Sequence, residues 1–463
     1  MCSNANEEEA FALLCDILPG LPIDRVRVTP NGGIQQMYLV DIAGEDSPIL
    51  LTTAHKSWAK PLRSEYCSIS SEAALWAWYT VISPRVFRGE GANTNNGKNN
   101  HEVRENPESD VYSTRLYLSG FLPTLIKYSL PIPEAQVPEF SLSRPRPGNT
   151  VSSLPLSPNN DDYASINQQA GQLFRRIACH VSPTGRFGDV ASVMRPLSVL
   201  PMRPVVRSPA NSPYIFGTAS WSGAFHLMLE SVLRDLEDRF VNISYSRIRG
   251  HFKQLRSLLD KVTRPSLVAI TCSDMQNLLV VESDTKDSDS STLSSEAEAP
   301  NSPPTDQDPE PHTRPTTPET RDKYKVTGLR DWSMLVFGDP LIATVFNDKA
   351  PESFMAGLHQ PIAEDDPFTS VSIIEHAESA PLRLLLYKCY HALNDLAKQY
   401  YHTRQGDAEL EARRRLLLVL SELDKIKDET VFGEKLQENT AISEARIDAD
   451  AVGTTNKKFG VAS

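Results

Sequence analysis

Two strand-like apolar runs, Leu278 to Val281 and Tyr324 to Leu329, are separated by a stretch with no means of packing. Residues 283–322 are acidic, rich in Ser, Pro and Thr, and contain a single large apolar residue, Leu293. Such a segment cannot bury enough apolar surface to offset the entropy of ordering it. The two runs are therefore expected to pair as a hairpin with the acidic segment at its tip. Its Ser-Pro and Thr-Pro dipeptides also allow a regulatory reading, but a solvated insertion explains the composition. The hairpin constrains the fold by bringing two distant polar groups to its other end. One is the loop Thr271 to Asn277, the other Arg330-Asp331-Trp332. A loop carrying Asp and Asn, then a hairpin, then another Asp is a layout suited to metal–phosphate chemistry.

The 463 residues suffice for more than one core. A second polar interruption, residues 88–110, has one Val and no other large apolar residue. The tail from 429 is polar and expected to be loose. These breaks suggest a first lobe over 7–142, a second over 143–428 and a tail over 429–463. The formal charge of −12 disfavours generic nucleic-acid binding, because phosphate backbones attract basic surfaces. Six cysteines stand far apart without a C-x-x-C pair, which argues against structural zinc and for reduced thiols. The N-terminal residues are acidic and lack the marks of a targeting peptide. No run approaches the about 18 apolar residues of a membrane span. A cytoplasmic protein without membrane or nucleic-acid partners is expected; the sequence leaves its oligomeric state open.

Periodicity divides the ordered blocks. Residues 7–17 read as a short amphipathic helix, and 24–53 as three strands with turns at Asn31-Gly32-Gly33 and Gly44-Glu45-Asp46. Residues 70–82 read as a helix, Phe140 to Leu142 as a strand, and Ser266 to Ile270 as another. Helical stripes run over 161–181, from Trp221 to Phe240, over 381–401, and from Asp407 to about 427.

Thr327-Gly328-Leu329-Arg330-Asp331-Trp332, followed by Phe337-Gly338-Asp339-Pro340-Leu341, resembles the G-x-x-D-W…G-D-P signature of the aminoglycoside phosphotransferase and choline-kinase-like family. Leu267-Val268 and Asn277-Leu278-Leu279-Val280 resemble that family's catalytic loop. Asn31-Gly32-Gly33 resembles its phosphate-covering turn, and Ser71-Glu72-Ala73-Ala74-Leu75 the helix that carries its Glu. Arg144-Pro145-Arg146-Pro147-Gly148 follows the expected interlobe strand, and Leu386 to His391 resembles the closing helices of large fungal members. The resemblance covers residues 7 to 428 without the two insertions. It implies a two-lobed, protein-kinase-like α+β fold, with a small antiparallel-sheet lobe and a mainly helical lobe. It also implies ATP- and Mg²⁺-dependent transfer of a phosphoryl group to a hydroxyl of a small molecule, bound between the cleft and helices including the one starting at Trp221.

Each part of such a site has a physical requirement. Mg²⁺ favours carboxylate oxygen, which points to Asp331, with Asn277 as a second ligand from the loop. A carboxylate beside the acceptor hydroxyl would orient it and take its proton, and Asp274 is the loop's only Asp. Gly32 and Gly33 would cover the phosphates. Lys56 would reach the nucleotide, held by Glu72.

Two parts depart from the pattern. The family's catalytic Asp lies five residues before its Asn; here that position is Cys272, and Asp274 lies three before. The strand Ile49 to Ala54 has no Lys, so Lys56 follows the strand end, or Thr52 or Thr53 holds the Lys position. These departures admit a second reading, a catalytically impaired pseudokinase acting as a binding or scaffold protein. Asp339 reads as a helix cap before Pro340, and Cys272 as a buried small residue.

Overall fold

The computed structural model describes residues 4–29, 35–54, 60–87, 118–129, 139–156, 161–194, 217–283, 322–361, 372–402 and 406–426. Both polar insertions and the tail fall outside this set, apart from their outermost residues, as do Gly32, Gly33 and Lys56.

Strands β1 (Ile23–Thr29), β2 (Gln36–Ile42), β3 (Ile49–Thr53), β4 (Thr124–Ser129) and β5 (Phe140–Arg144) form an antiparallel sheet in the order β1-β2-β3-β5-β4. Register decides which face each residue serves, because side chains alternate along a strand. Leu51 lies opposite Tyr38 and Leu142, and Ile49 opposite Val40, so these residues share one face. Helix α1 (Asn4–Ile17) covers that face with Ala10, Leu14 and Ile17, closing a small core. The other face presents Met37, Leu50, Thr52, Ser141 and Ser143, since Thr52 pairs with Met37 and Ser141, and Leu50 with Ser143. Helix α2 (Ser68–Phe87) belongs to the larger core of the molecule through Ala74, Leu75, Trp76 and Tyr79. Near its start, the Ser70 hydroxyl donates to Glu139 (2.7 Å), tying the helix to the sheet.

The second part is mainly helical. It contains α3 (Asp161–Ala178), α4 (Val190–Met194), α5 (Trp221–Asp238), α6 (Tyr245–Leu259), α7 (Glu352–His359), α8 (Ala380–Tyr401) and a helix over residues 406–426. Two three-stranded sheets are set among them. One joins β6 (Asn149–Thr150), β9 (Leu278–Glu282) and β10 (Tyr324–Leu329); the other joins β7 (Gly188–Asp189), β8 (Ser266–Ala269) and β11 (Leu335–Gly338). The expected hairpin is present: Leu278 lies opposite Leu329, and Glu282 opposite Tyr324, next to the acidic insertion. The chain is a two-lobed α+β structure, with a small antiparallel-sheet lobe and a mainly helical lobe.

Two close approaches fix how the parts meet. Gly148 has φ +127°, and a Cβ there would lie 2.5 Å from the carbonyl oxygen of Val280. The connection between the lobes thus passes directly over β9. Gly338 lies under the Trp221 indole, where a Cβ would approach Cζ3 to 2.2 Å. Behind this contact sits a buried polar network. Asp339 caps the turn at Pro340 by accepting from the Leu341 N–H (3.2 Å), as anticipated. Its other oxygen accepts from Arg383 (2.5 Å) and from the Tyr387 hydroxyl (2.7 Å), which itself accepts from the Trp221 indole N–H (2.7 Å). Asp339 and Arg383 are both fully buried, so the cap is also half of a buried ion pair.

Candidate functional site

The site lies at the end of the β9–β10 hairpin. The loop from β8 to β9 folds as consecutive turns: the Asp274 N–H donates to Thr271 O, and the Asn277 and Leu278 N–H groups both donate to Asp274 O. The Asp274 carboxylate accepts from the Gln276 N–H (2.9 Å), which is ordinary Asp turn chemistry. Its side chain is exposed. Cys272, in the position the family pattern gives to Asp, is 1% exposed within the main core. Burial pushes its thiol far above the ordinary range, so it is a packed residue and not a nucleophile.

Asn277 is brought against Asp331, as the spacing anticipates. Its carboxamide forms a two-point clamp on the Asp331 peptide: Oδ1 accepts from the Asp331 N–H (2.7 Å) and Nδ2 donates to the Asp331 carbonyl (2.9 Å). The clamp orients Asp331 and uses one of the two lone pairs of the Asn277 oxygen. One Asp331 carboxylate oxygen accepts from the Ser333 N–H (2.7 Å).

Glu72, on α2, meets the same segment. Its Oε1 accepts from the Trp332 N–H (2.8 Å), a bond linking residues 260 apart in sequence. Its Oε2 is buried and has no hydrogen-bond donor among the described residues. The carboxyl faces that of Asp331. Burial first, and then the Asp331 charge, push Glu72 well above the usual carboxylate range, opposed by the Trp332 N–H. Trp332 is 1% exposed and donates its indole N–H to Leu329 O, which locks the turn in place.

Glu72, Asn277 and Asp331 therefore converge from three chain segments, with Asp274 exposed on the adjoining loop. Glu72, expected to hold a strand Lys, faces a second carboxylate. Of the two threonines considered for the Lys position, Thr52 lies on the face turned away from α1, and Thr53 on the α1 side. Thr52 is paired with Ser141, and the buried hydroxyls of Ser141 and Ser143 have no hydrogen-bond partner among the described residues. Sequence patterns did not single out these serines. Their only signal was the Ser-x-Ser alternation with Phe140 and Leu142 in the strand. The donor set around Asp331 is all oxygen, which suits Mg²⁺, an ion usually held by one or two carboxylates together with phosphates. Among the described residues no group of three or more His, Cys, Asp or Glu is arranged to hold a metal. Among them, too, no helix is long and apolar enough to cross a membrane.

No family model matches the chain, and no curated protein matches it. Solved structures do align with it. An aminoglycoside phosphotransferase, APH(4)-Ia, in ternary complex with AMP-PNP and hygromycin B is 14% identical, with a TM-score of 0.44, over 89% of this chain and 97% of that one. A provisionally assigned fructosamine-3-kinase from Haemophilus somnus is 12% identical, with a TM-score of 0.45, over 91% of this chain and 99% of that one. The GDP complex of an aminoglycoside 2'-phosphotransferase-IIIa variant is 12% identical, with a TM-score of 0.40, over 91% and 98%. At such identities and TM-scores the likeness carries no functional weight.

Proposed function

We propose that this chain is a kinase-like, ATP- and Mg²⁺-dependent phosphotransferase acting on a hydroxyl of a small molecule. The observation that carries the reading is the convergence of Glu72, Asn277 and the Asp331-Trp332 peptide at the hairpin end. Asp331 is the metal ligand, and Asn277 fixes its backbone. Asn277 Oδ1, which accepts one hydrogen bond in the clamp, has a second lone pair for a ligand. The second oxygen of Glu72 is available to the same cation. Bound Mg²⁺ would neutralise phosphate charge, which is most of what phosphoryl transfer requires of a protein. Asp274, exposed on the loop, is the carboxylate that would orient an acceptor hydroxyl and take its proton. Gly32 and Gly33 would cover the phosphates, and Lys56 would approach them from beyond β3.

The second reading, a pseudokinase that binds or scaffolds, is favoured by two observations. Cys272 is packed into the core where the catalytic Asp is expected, and β3 carries Thr52 and Thr53 but no Lys. Calorimetric titration of ATP with and without Mg²⁺, into wild type and Asp331→Asn, tests the proposal. Mg²⁺-dependent binding that the variant loses supports it. Absence of nucleotide binding by either protein refutes it and leaves the binding or scaffold role.

A further inference from the structure

A cleft of about 370 Å³ opens between α5 and α6. That volume lies within the range of small-molecule sites, about 300–1,000 Å³. Its lining includes Ser222, Gly223, His226, Glu230 and Phe252, together with three cations from one helix, Arg249, Lys253 and Arg256. A chain of net charge −12 therefore builds a cleft lined by three cations and one carboxylate.

The three cations differ in what satisfies them. Arg249 is fully engaged: it holds Glu230 through two bonds (2.8 and 2.9 Å) and Glu237 through a third (3.0 Å). It forms a rigid, neutralised wall. Arg256 donates Nε to the Ser222 hydroxyl (3.3 Å) and reaches Asp260 only at 3.9 Å. Lys253 is exposed and has no ion-pair partner among the described residues. Like charges three and four residues apart on one helix face repel, so this spacing is unfavourable until an anion lies between them. The first turn of α5 adds to the same field. Ser220 caps Gly223, and the N–H groups of that turn carry the positive end of the helix dipole. The cleft also has a flat side, where the His226 ring stacks on Phe252 (centroids 4.8 Å, interplanar angle 18°).

We propose that this cleft binds a small anionic molecule, with its phosphate or carboxylate held by Lys253 and Arg256 and its apolar or planar part against the His226–Phe252 face. Its lining shares no residue with Glu72, Asn277 and Asp331, so the proposal does not rest on the phosphotransferase reading.

The test is calorimetric titration of the full chain with inorganic phosphate, phenyl phosphate and benzoate, with sodium chloride at matched ionic strength as the reference. The double variant Lys253→Gln/Arg256→Gln, whose exposed side chains should be dispensable for folding, is compared by circular dichroism and titrated likewise. The expected result is saturable binding of at least one anion, weakened about tenfold or more in the double variant. Binding of phenyl phosphate without benzoate identifies a phosphate ester as the ligand class; the converse identifies a carboxylate. Responses no larger than those to chloride, or equal affinity in wild type and double variant, overturn the proposal. Arg256→Lys, which keeps the charge, should retain most of the binding. Binding lost in Arg256→Lys while circular dichroism is unchanged would show that the guanidinium fork itself holds the anion, which supports the proposal.

Discussion

Replacing Glu72 by Gln should stabilise the protein at alkaline pH while removing an oxygen proposed to meet a bound cation. Glu72 is 1% exposed, its Oε1 already accepts from the Trp332 N–H, and its Oε2 lacks a donor among the described residues while the carboxyl faces Asp331. A glutamine has the same shape. Its oxygen keeps the Trp332 bond, and its NH₂ offers Asp331 the donor that an ionised Glu72 lacks. A buried polar group without a partner costs about 1–3 kcal/mol, which sets the expected gain. The sign with pH follows from linkage. Folded Glu72 holds its proton above the unfolded value of 4.5, so from about that pH upward the native state binds more protons than the unfolded chain. The Glu72 contribution to wild-type stability therefore falls with rising pH, by up to about 1.4 kcal/mol for each unit crossed, until the folded Glu72 is itself ionised. The variant lacks this loss. Urea denaturation without divalent cations should show near-equal stabilities at about pH 5 and a gap of about 1–3 kcal/mol in favour of the variant near pH 8. A Glu72→Gln protein less stable than wild type at every pH, or differing by a pH-independent amount, would overturn this account of the carboxyl pair.

Two further substitutions probe neighbouring parts. Arg383→Met leaves the Asp339 carboxylate buried with its charge uncompensated, and should cost about 3–5 kcal/mol in denaturant unfolding; a loss below about 1 kcal/mol would show that the pair is not the support inferred here. Cys272→Asp restores the residue type of the family pattern, yet it puts a carboxylate where the side chain is 1% exposed in the main core. It should lower the melting temperature and yield no gain in phosphoryl transfer, measured by ADP release.

Where one periodicity acted alone, the sequence was easy to read. The stripe from Leu382 to Tyr400 became α8, and the three N-terminal strands appeared close to their expected bounds. The hairpin was legible because an unpackable segment separated two strand-like runs. β4 was missed because its sequence, TLIKYS, does not alternate, and three of its six residues are half-buried. β11 was missed because Leu335 to Gly338 is buried throughout, so it shows no period at all. In the site, the proximity of Asn277 to Asp331 follows from hairpin register and could be read directly. The role of Glu72 could not. Its contact with Trp332 spans 260 residues, and its orientation toward Asp331 depends on how α2 seats in the main core.

That orientation links the two readings of function. Buried Glu72, facing the half-buried Asp331 carboxylate, does not readily keep its charge, because it has lost water and its Oε2 has no donor among the described residues. β3 carries no Lys, and among the described residues a proton or a bound cation would relieve the pair. If a proton does so, Glu72 serves as a neutral hydrogen-bond donor that fixes the Asp331-Trp332 turn, and the site is structural, as a pseudokinase would have it. If a divalent cation does so, Glu72 becomes an extra oxygen ligand beside Asp331, and a strand Lys is less needed because the metal supplies the positive charge near the phosphates. Adding Mg²⁺ near pH 8 distinguishes the two. It should stabilise wild type more than Glu72→Gln if the cation fills the gap, and both proteins equally if the proton does.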